Sequence, residues 1–111
     1  MTILTIDFET YYDRAFSLSK LTTEAYIRDE LFEVIGVSVQ IDDSSASSST
    51  WFSGTKKETQ EFLNQFDWEN SLTVAHNAMF DIAILNWHFG IRPKKIIDTV
   101  GMSRALHSIE V

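Results

Sequence analysis

Cysteine is absent from this 111-residue chain, and basic residues are few. Without cysteine the protein has neither disulfides nor thiolate metal sites, which agrees with a reducing cytoplasm. Nine Lys and Arg residues against sixteen Asp and Glu residues give a net charge of −7. This balance argues against nucleic-acid binding through a broad basic surface, because such phosphate affinity comes from clustered cations. Any contact with nucleic acid is therefore expected to be local or bridged by metal ions.

Long apolar runs are also missing from the chain. No run approaches the ~20 residues that a membrane-spanning helix needs, so we expect no membrane insertion. What is present is a globular composition, with 44% apolar and 23% charged residues interspersed along the chain. At this length we expect one domain over residues 1–111, with a small core.

Apolar patterning and local end signals predict five strands and three helices. Thr55 and Glu58 have the spacing of a capping box, which predicts a helix that ends near residue 67. A second helix follows residue 77 and stops at Gly90, before Pro93. Asp98 is expected to cap a last helix through Ala105, and residues 11–28 are read as irregular or partly helical. The predicted strands are residues 2–7, 31–41, a short strand around 51–52, 72–75 and 96–97.

The order of these elements, β, β, β, α, β, α, β, α, predicts an α/β fold with helices against a sheet. In the second strand, Ile35, Val37, Val39 and Ile41 are expected to share one face. Residues 42–50 are read as an exposed hairpin loop, because they are rich in Ser and Asp.

Two acidic residues close the first predicted strand. Asp7 and Glu9 are two positions apart, so both side chains project from the same face of a strand. Each of two neighbouring carboxylates raises the pKa of the other, which makes an unneutralised pair unfavourable. Such a pair therefore usually accompanies a bound cation or proton chemistry. On its own the pair is more often a solvated strand end than a metal site.

A second polar element follows the fourth predicted strand, where residues 75–81 read Ala-His-Asn-Ala-Met-Phe-Asp. Asp81 falls in the first turn of the next helix, and Asn77 stands four residues before it. In open α/β sheets, ligand sites lie beyond the carboxyl ends of the strands, where Asp7, Glu9 and Asp81 are all expected. Three carboxylates there suit Mg²⁺ or Mn²⁺ and not zinc. The alternatives are helix capping by Asn77 and a favourable helix-dipole contact by Asp81.

These residues resemble two motifs of the DEDD (DnaQ-like) superfamily of 3′→5′ exonucleases. Residues 6–10, Ile-Asp-Phe-Glu-Thr, resemble its first motif, and residues 75–81 resemble its second, Asn-x-x-(Phe/Tyr)-Asp. Residues 26–29, 32–34 and 98–106 are similar to the proofreading exonuclease domain of phage-type family A DNA polymerases in particular.

The resemblance implies an RNase H-like mixed sheet of about five strands and two-metal hydrolysis at a DNA 3′ end. Asp7, Glu9 and Asp81 are then the catalytic metal ligands, and Thr10 and Asn77 contact the terminal nucleotide. Phe80 joins them as a residue of the substrate site, expected to pack beneath it. The implied setting is the cytoplasm, that of a phage-infected bacterial cell included.

The sequence departs from the family in one respect, since the third motif with the fourth acid has no counterpart before residue 111. We therefore expect a truncated domain without its C-terminal helices, completed by a polymerase domain or second chain, or self-associating as a homo-oligomer. Two alternatives stay open. One is a non-catalytic module that binds DNA or a polymerase, and the other is an RNA exonuclease of the same superfamily.

Overall fold

A five-stranded mixed sheet with helices packed on it forms the framework of the molecule. The computed structural model describes residues 2–13, 17–18, 21–43 and 47–99. Within these ranges the elements are β1 (Ile3–Thr10), α1 (Thr23–Arg28), β2 (Val34–Asp42), β3 (Ser47–Phe52), α2 (Lys56–Asn64), β4 (Leu72–Ala75), α3 (Ala78–Phe89) and β5 (Lys95–Asp98).

The strands lie in the order β3-β2-β1-β4-β5. β1 pairs antiparallel with β2, which pairs antiparallel with β3, whereas β4 is parallel to both β1 and β5. β1 is therefore the central strand, and the carboxyl ends of β1, β4 and β5 reach the same edge of the sheet. The predicted α/β class with a mixed five-stranded sheet is confirmed, and the strand order is compatible with an RNase H-like arrangement.

The core lies on one face of this sheet. Leu4, Ile6 and Phe8 of β1 are buried, and Val37 and Val39 of β2 continue the same face. Helices pack on it through stacked aromatic pairs, Phe62 of α2 on Phe52 and Phe89 of α3 on Phe8. The molecule is 20 Å thick in its shortest dimension, which is room for one sheet and one layer of helices.

Local signals set the helix ends where the sequence places them. Thr55 Oγ1 accepts the Glu58 backbone N–H, and Glu58 Oε1 accepts the Thr55 N–H, so the capping box is formed. Gly90 ends α3 with a left-handed φ of 65°, a conformation that glycine adopts without the steric cost of a Cβ.

Two expectations differ from the structure. The loop predicted over residues 42–50 is wrong in part, because β3 begins at Ser47. The Ser-rich sequence has no strand pattern of its own, and the strand forms through pairing with β2, in which Ser47 lies opposite Asp42. Residues 23–28 form a helix, α1, with Thr22 as its cap, which agrees with the partly helical character expected of residues 11–28. Ile35 does not join the buried face and is exposed, because the β1–β2 register shifts between Glu9 and Thr10.

Other expectations concern the last part of the chain and the membrane. The predicted helix from Asp98 through Ala105 falls almost wholly outside the described residues. No helix in the described part of the chain has the length and apolar character to cross a bilayer.

Candidate functional site

The site is built at the edge where β1, β4 and β5 end. Alternation along β1 places Leu4, Ile6 and Phe8 in the core and leaves Asp7 and Glu9 exposed on the opposite face. The sequence prediction that the two carboxylates share one face is thus confirmed. Opposite them on β2 lie Ser38 and Gly36, which bring no charge to the pair.

Asp81 approaches the same point from the helix layer. Its side chain is only 3% exposed, and its Oδ1 accepts a hydrogen bond of 3.1 Å from the backbone N–H of Phe8, the residue between Asp7 and Glu9. Pairing of β1 with β4 extends only to Thr5 and Val74. Beyond that pair, the Asp81 carboxylate satisfies a backbone donor that no β4 residue reaches.

The charges of the neighbouring acids affect the pKa of Asp81. Burial raises the pKa of Asp81 to about 7, the hydrogen bond from Phe8 opposes the rise, and the charges of Asp7, Glu9 and Asp98 add to it. Every charged side chain that acts on Asp81 is therefore a carboxylate. Such a group of like charges favours either a proton on Asp81 or a bound cation.

Asp98 is the member of this group for which the sequence predicted only a helix cap. It ends β5 opposite Ala75, half-buried, and its charge contributes to the raised pKa of Asp81. The signal was available in the sequence, because an acid at the carboxyl end of a parallel strand reaches the same sheet edge as Asp7.

The donor set matches a hard divalent cation in charge and ligand type, since all four groups are carboxylates. In arrangement the match is incomplete: within residues 2–13, 17–18, 21–43 and 47–99, no three His, Asp or Glu side chains are placed to hold a metal ion. Asp7 and Glu9 face the exposed side of β1, whereas Asp81 is held on the Phe8 amide from the core side. Shared coordination of one cation therefore requires these side chains to move.

The residues predicted to contact substrate surround this edge. The Thr10 hydroxyl lies 2.9 Å from the Tyr26 hydroxyl, so it is engaged within the protein. Asn77 is exposed and its side chain makes no capping hydrogen bond, although its carbonyl accepts the Asp81 N–H. The capping role considered for Asn77 is therefore wrong. Phe80 is half-buried, 6.1 Å from the Tyr26 ring, as expected for a packing residue.

His76 also stands at this edge, directly after β4. Its Nδ1 lies 3.1 Å from Thr99 Oγ1, within hydrogen-bonding distance. The imidazole thus has a hydrogen-bonding partner within the protein.

A cavity of about 290 Å³ opens away from the acids, between the start of β2, the start of α2 and the end of α3. Its walls include Phe32, Thr55, Lys56, His88 and Phe89. Neither Asp7, Glu9 nor Asp81 lines it, so this cavity and the acidic edge are separate places. The carboxylates on adjoining elements make the acidic edge the candidate functional site.

Comparisons with family models, with curated proteins and with solved structures gave no match to this chain.

Proposed function

We propose that this chain is the metal-binding part of a 3′→5′ exonuclease of the proofreading type, acting on the 3′ end of DNA in the cytoplasm. The observation that carries the proposal is the position of Asp81, whose carboxylate binds the backbone amide between Asp7 and Glu9. Three carboxylates thus belong to one small region at a sheet edge, and no cation balances them there among the groups that act on Asp81.

Asp7, Glu9 and Asp81 would hold Mg²⁺ or Mn²⁺. When bound, a pair of such ions neutralises the carboxylates, activates a water molecule and stabilises the leaving 3′ oxygen of a phosphodiester. The protein itself supplies the rest. β1 fixes the spacing of Asp7 and Glu9, α3 delivers Asp81 through its first turn, and Asn77 presents an exposed amide beside them.

Asp98 bears on the missing third motif. The family resemblance requires a fourth acid from a later helix, and the chain offers no such motif by residue 111. Asp98 already acts on Asp81 from the neighbouring strand. We propose that it supplies part of the missing negative charge, and that a polymerase domain or a second chain supplies the remainder.

The test is release of nucleotides from a 5′-labelled single-stranded DNA oligonucleotide with Mn²⁺. The intact chain is compared with the Asp7→Ala, Glu9→Ala double variant. A charge-matched control, Glu30→Ala with Glu61→Ala, removes two exposed acids elsewhere on the surface. We expect stepwise 3′ shortening that the control retains and the Asp7, Glu9 variant loses.

Equal shortening by both variants would show that the activity does not come from this site. An RNA oligonucleotide of the same sequence, run in parallel, distinguishes the two substrates. Preferred shortening of RNA would assign the chain to the RNA exonucleases.

A second function is favoured by one observation, the lack of a preassembled three-ligand group in the described residues. A non-catalytic module that binds a DNA end or a polymerase would keep these acids without a metal. Its distinguishing result is DNA binding that persists in EDTA and is unaffected by Asp7→Ala.

A further inference from the structure

Trp51 is an exposed aromatic residue of β3 on the same face of the sheet as Asp7 and Glu9. Asp7 pairs with Ser38 of β2, and Ser38 pairs with Trp51. Residues paired across neighbouring strands project from the same face, so Asp7, Ser38 and Trp51 form one row. Because neighbouring strands lie about 4.8 Å apart, this row places the Cα atoms of Asp7 and Trp51 about 10 Å from each other.

The indole ring of Trp51 lies on the backbone of Gly36. A Cβ atom at position 36 would overlap the ring carbons Cζ2 and Cη2, so the ring can lie there only because residue 36 is glycine. Gly36 does not have a left-handed φ, so the close approach of the ring, and not the backbone conformation, is what requires glycine. Gly36 pairs with Glu9, which brings the indole towards the second acid of the pair.

Packing of the core does not explain where this ring lies. The core face of β3 is occupied by Phe52, which stacks on Phe62 of α2. Trp51 lies on the other face, where the rows around it carry the polar residues Asp7, Glu9 and Ser38. The indole is thus seated on Gly36 and open to solvent elsewhere, with 54% of the residue exposed.

A seated and exposed indole can stack a second planar group. Nucleobases are such groups, and aromatic side chains stack them with little regard to sequence because every base has a flat face. Stacking needs no positive charge. It therefore suits a chain of net charge −7, in which contacts with phosphate are expected to be local or bridged by cations.

We propose that Trp51 stacks a base next to the scissile phosphate when a DNA 3′ end lies at the acidic edge. The inference rests on the proposed function, because it takes that DNA end as the ligand of the region around Asp7 and Glu9. The base and the phosphate of a nucleotide project in different directions from the sugar. A nucleotide whose phosphate lies at the acids can therefore place its base over the indole, and Trp51 binds the substrate without touching the reacting phosphate.

Binding is measured with a single-stranded DNA oligonucleotide that carries 2-aminopurine at its 3′ end, a base analogue whose fluorescence falls when it stacks. Phosphorothioates at the last linkages keep the oligonucleotide from being shortened during the titration in Mn²⁺. We expect the wild type to quench the analogue. Trp51→Ala should bind about tenfold more weakly and should not quench it. Trp51→Phe keeps an aromatic ring and should retain most of the binding and quenching.

Two controls locate the effect. Trp87→Ala removes an indole that is 39% exposed on α3, and it should bind and quench as the wild type does. An oligonucleotide that carries 2-aminopurine in the middle of the strand should keep its fluorescence, because only bases at the 3′ end reach Trp51.

The nucleotide-release assay separates this inference from the proposed function. Trp51→Ala should raise KM about tenfold and leave kcat nearly unchanged, because the lost contact is made equally in the ground state and the transition state. Release that depends on Asp7 and Glu9 but not on Trp51 would overturn the stacking role and leave the proposed function intact. Binding and quenching that depend on Trp51, without any release, would support the stacking role and overturn the exonuclease proposal.

Other results would also overturn the stacking role. Equal quenching by the wild type and Trp51→Ala would show that the base stacks elsewhere. Equal weakening of binding by Trp87→Ala would show that the loss is not specific to the row beside the acids. A wild-type chain that neither binds the oligonucleotide nor shortens it would overturn both proposals.

Discussion

Asp81 occupies an unusual environment for an aspartate, buried beside three other carboxylates and bonded to a backbone amide. The hydrogen bond stabilises its charged form, while burial and the neighbouring charges destabilise it. Because burial is the largest of these effects, the pKa rises to about 7. Without a bound cation, the ionised form of Asp81 therefore lowers the stability of the folded chain near neutral pH.

A pH dependence of stability follows from this pKa. A carboxyl group whose pKa is higher in the folded than in the unfolded chain takes up a proton on folding, so stability is lost as pH rises. The free energy of unfolding should fall between about pH 4 and pH 7, by a few kcal/mol in all, because one pKa unit is worth about 1.4 kcal/mol. Urea denaturation at pH 5 and pH 8 measures the difference.

Asp81→Asn is the variant that isolates the effect. The amide oxygen can still accept the Phe8 N–H, but it has no charge, so the fall in stability between pH 5 and pH 8 should shrink. At pH 8 the variant should be more stable than the wild type. Glu61→Gln, a change at an exposed acid on α2, should leave the wild-type pH profile unaltered. An Asp81→Asn profile parallel to that of the wild type would contradict the assignment.

The sequence predicted which residues lie at this edge better than it predicted the side of the sheet from which each side chain approaches. The spacing of Asp7 and Glu9 was sufficient to place both on one face, because alternation is a property of any strand. The approach of Asp81 from the core side was not predictable, since it depends on where β1 and β4 stop pairing. For the same reason, the sequence suggested a three-carboxylate metal site that the described residues do not preassemble.

At the scale of elements, the start of α2 depends on a reciprocal pair of hydrogen bonds between Thr55 and Glu58. Thr55→Ala removes the hydroxyl that accepts the Glu58 N–H, and it should lower the free energy of unfolding by about 1 kcal/mol. Thr55→Ser keeps a hydroxyl in the same place and should remain close to the wild type. Chemical denaturation of the three proteins makes the comparison, and equal stability of all three would show that the cap contributes nothing.

Helix ends were predictable here because their signals are local. The capping box and the Gly90 stop each lie within a few residues of the end that they set. β3 is the opposite case, because residues 47–50, Ser-Ser-Ser-Thr, have no strand pattern of their own. They become a strand only through pairing with β2, in which Ser47 lies opposite Asp42 and Phe52 opposite Val37.

At the scale of the whole molecule, a cation that binds only the folded chain must stabilise it. We expect millimolar Mn²⁺ to raise the melting temperature at pH 8 and expect Asp7→Ala to abolish the rise. Glu61→Ala, which removes an exposed acid from α2, should retain it. A melting temperature unchanged by Mn²⁺ in the wild type would exclude the metal site in this chain.

The α/β class was predicted from the order of the elements, whereas the mixed sheet of about five strands was what the family resemblance implied. The exposure of Met79 and Trp87 on the outer side of α3 was not predicted. Met79 and Trp87 fit a helical pattern equally well in a core or at a surface.

The central position of β1 has a consequence for synthesis on the ribosome. β1 pairs with β2 within the first 42 residues, but its other neighbour, β4, begins only at Leu72. Until that segment emerges, β1 exposes an unpaired edge, and the nascent β1–β2–β3 sheet lacks the helices α2 and α3 that cover its apolar face. Pairings so distant in sequence form slowly, and unpaired edges aggregate in the interval. We therefore expect the first half of this protein to be most prone to aggregation before β4 and the two later helices are available to it.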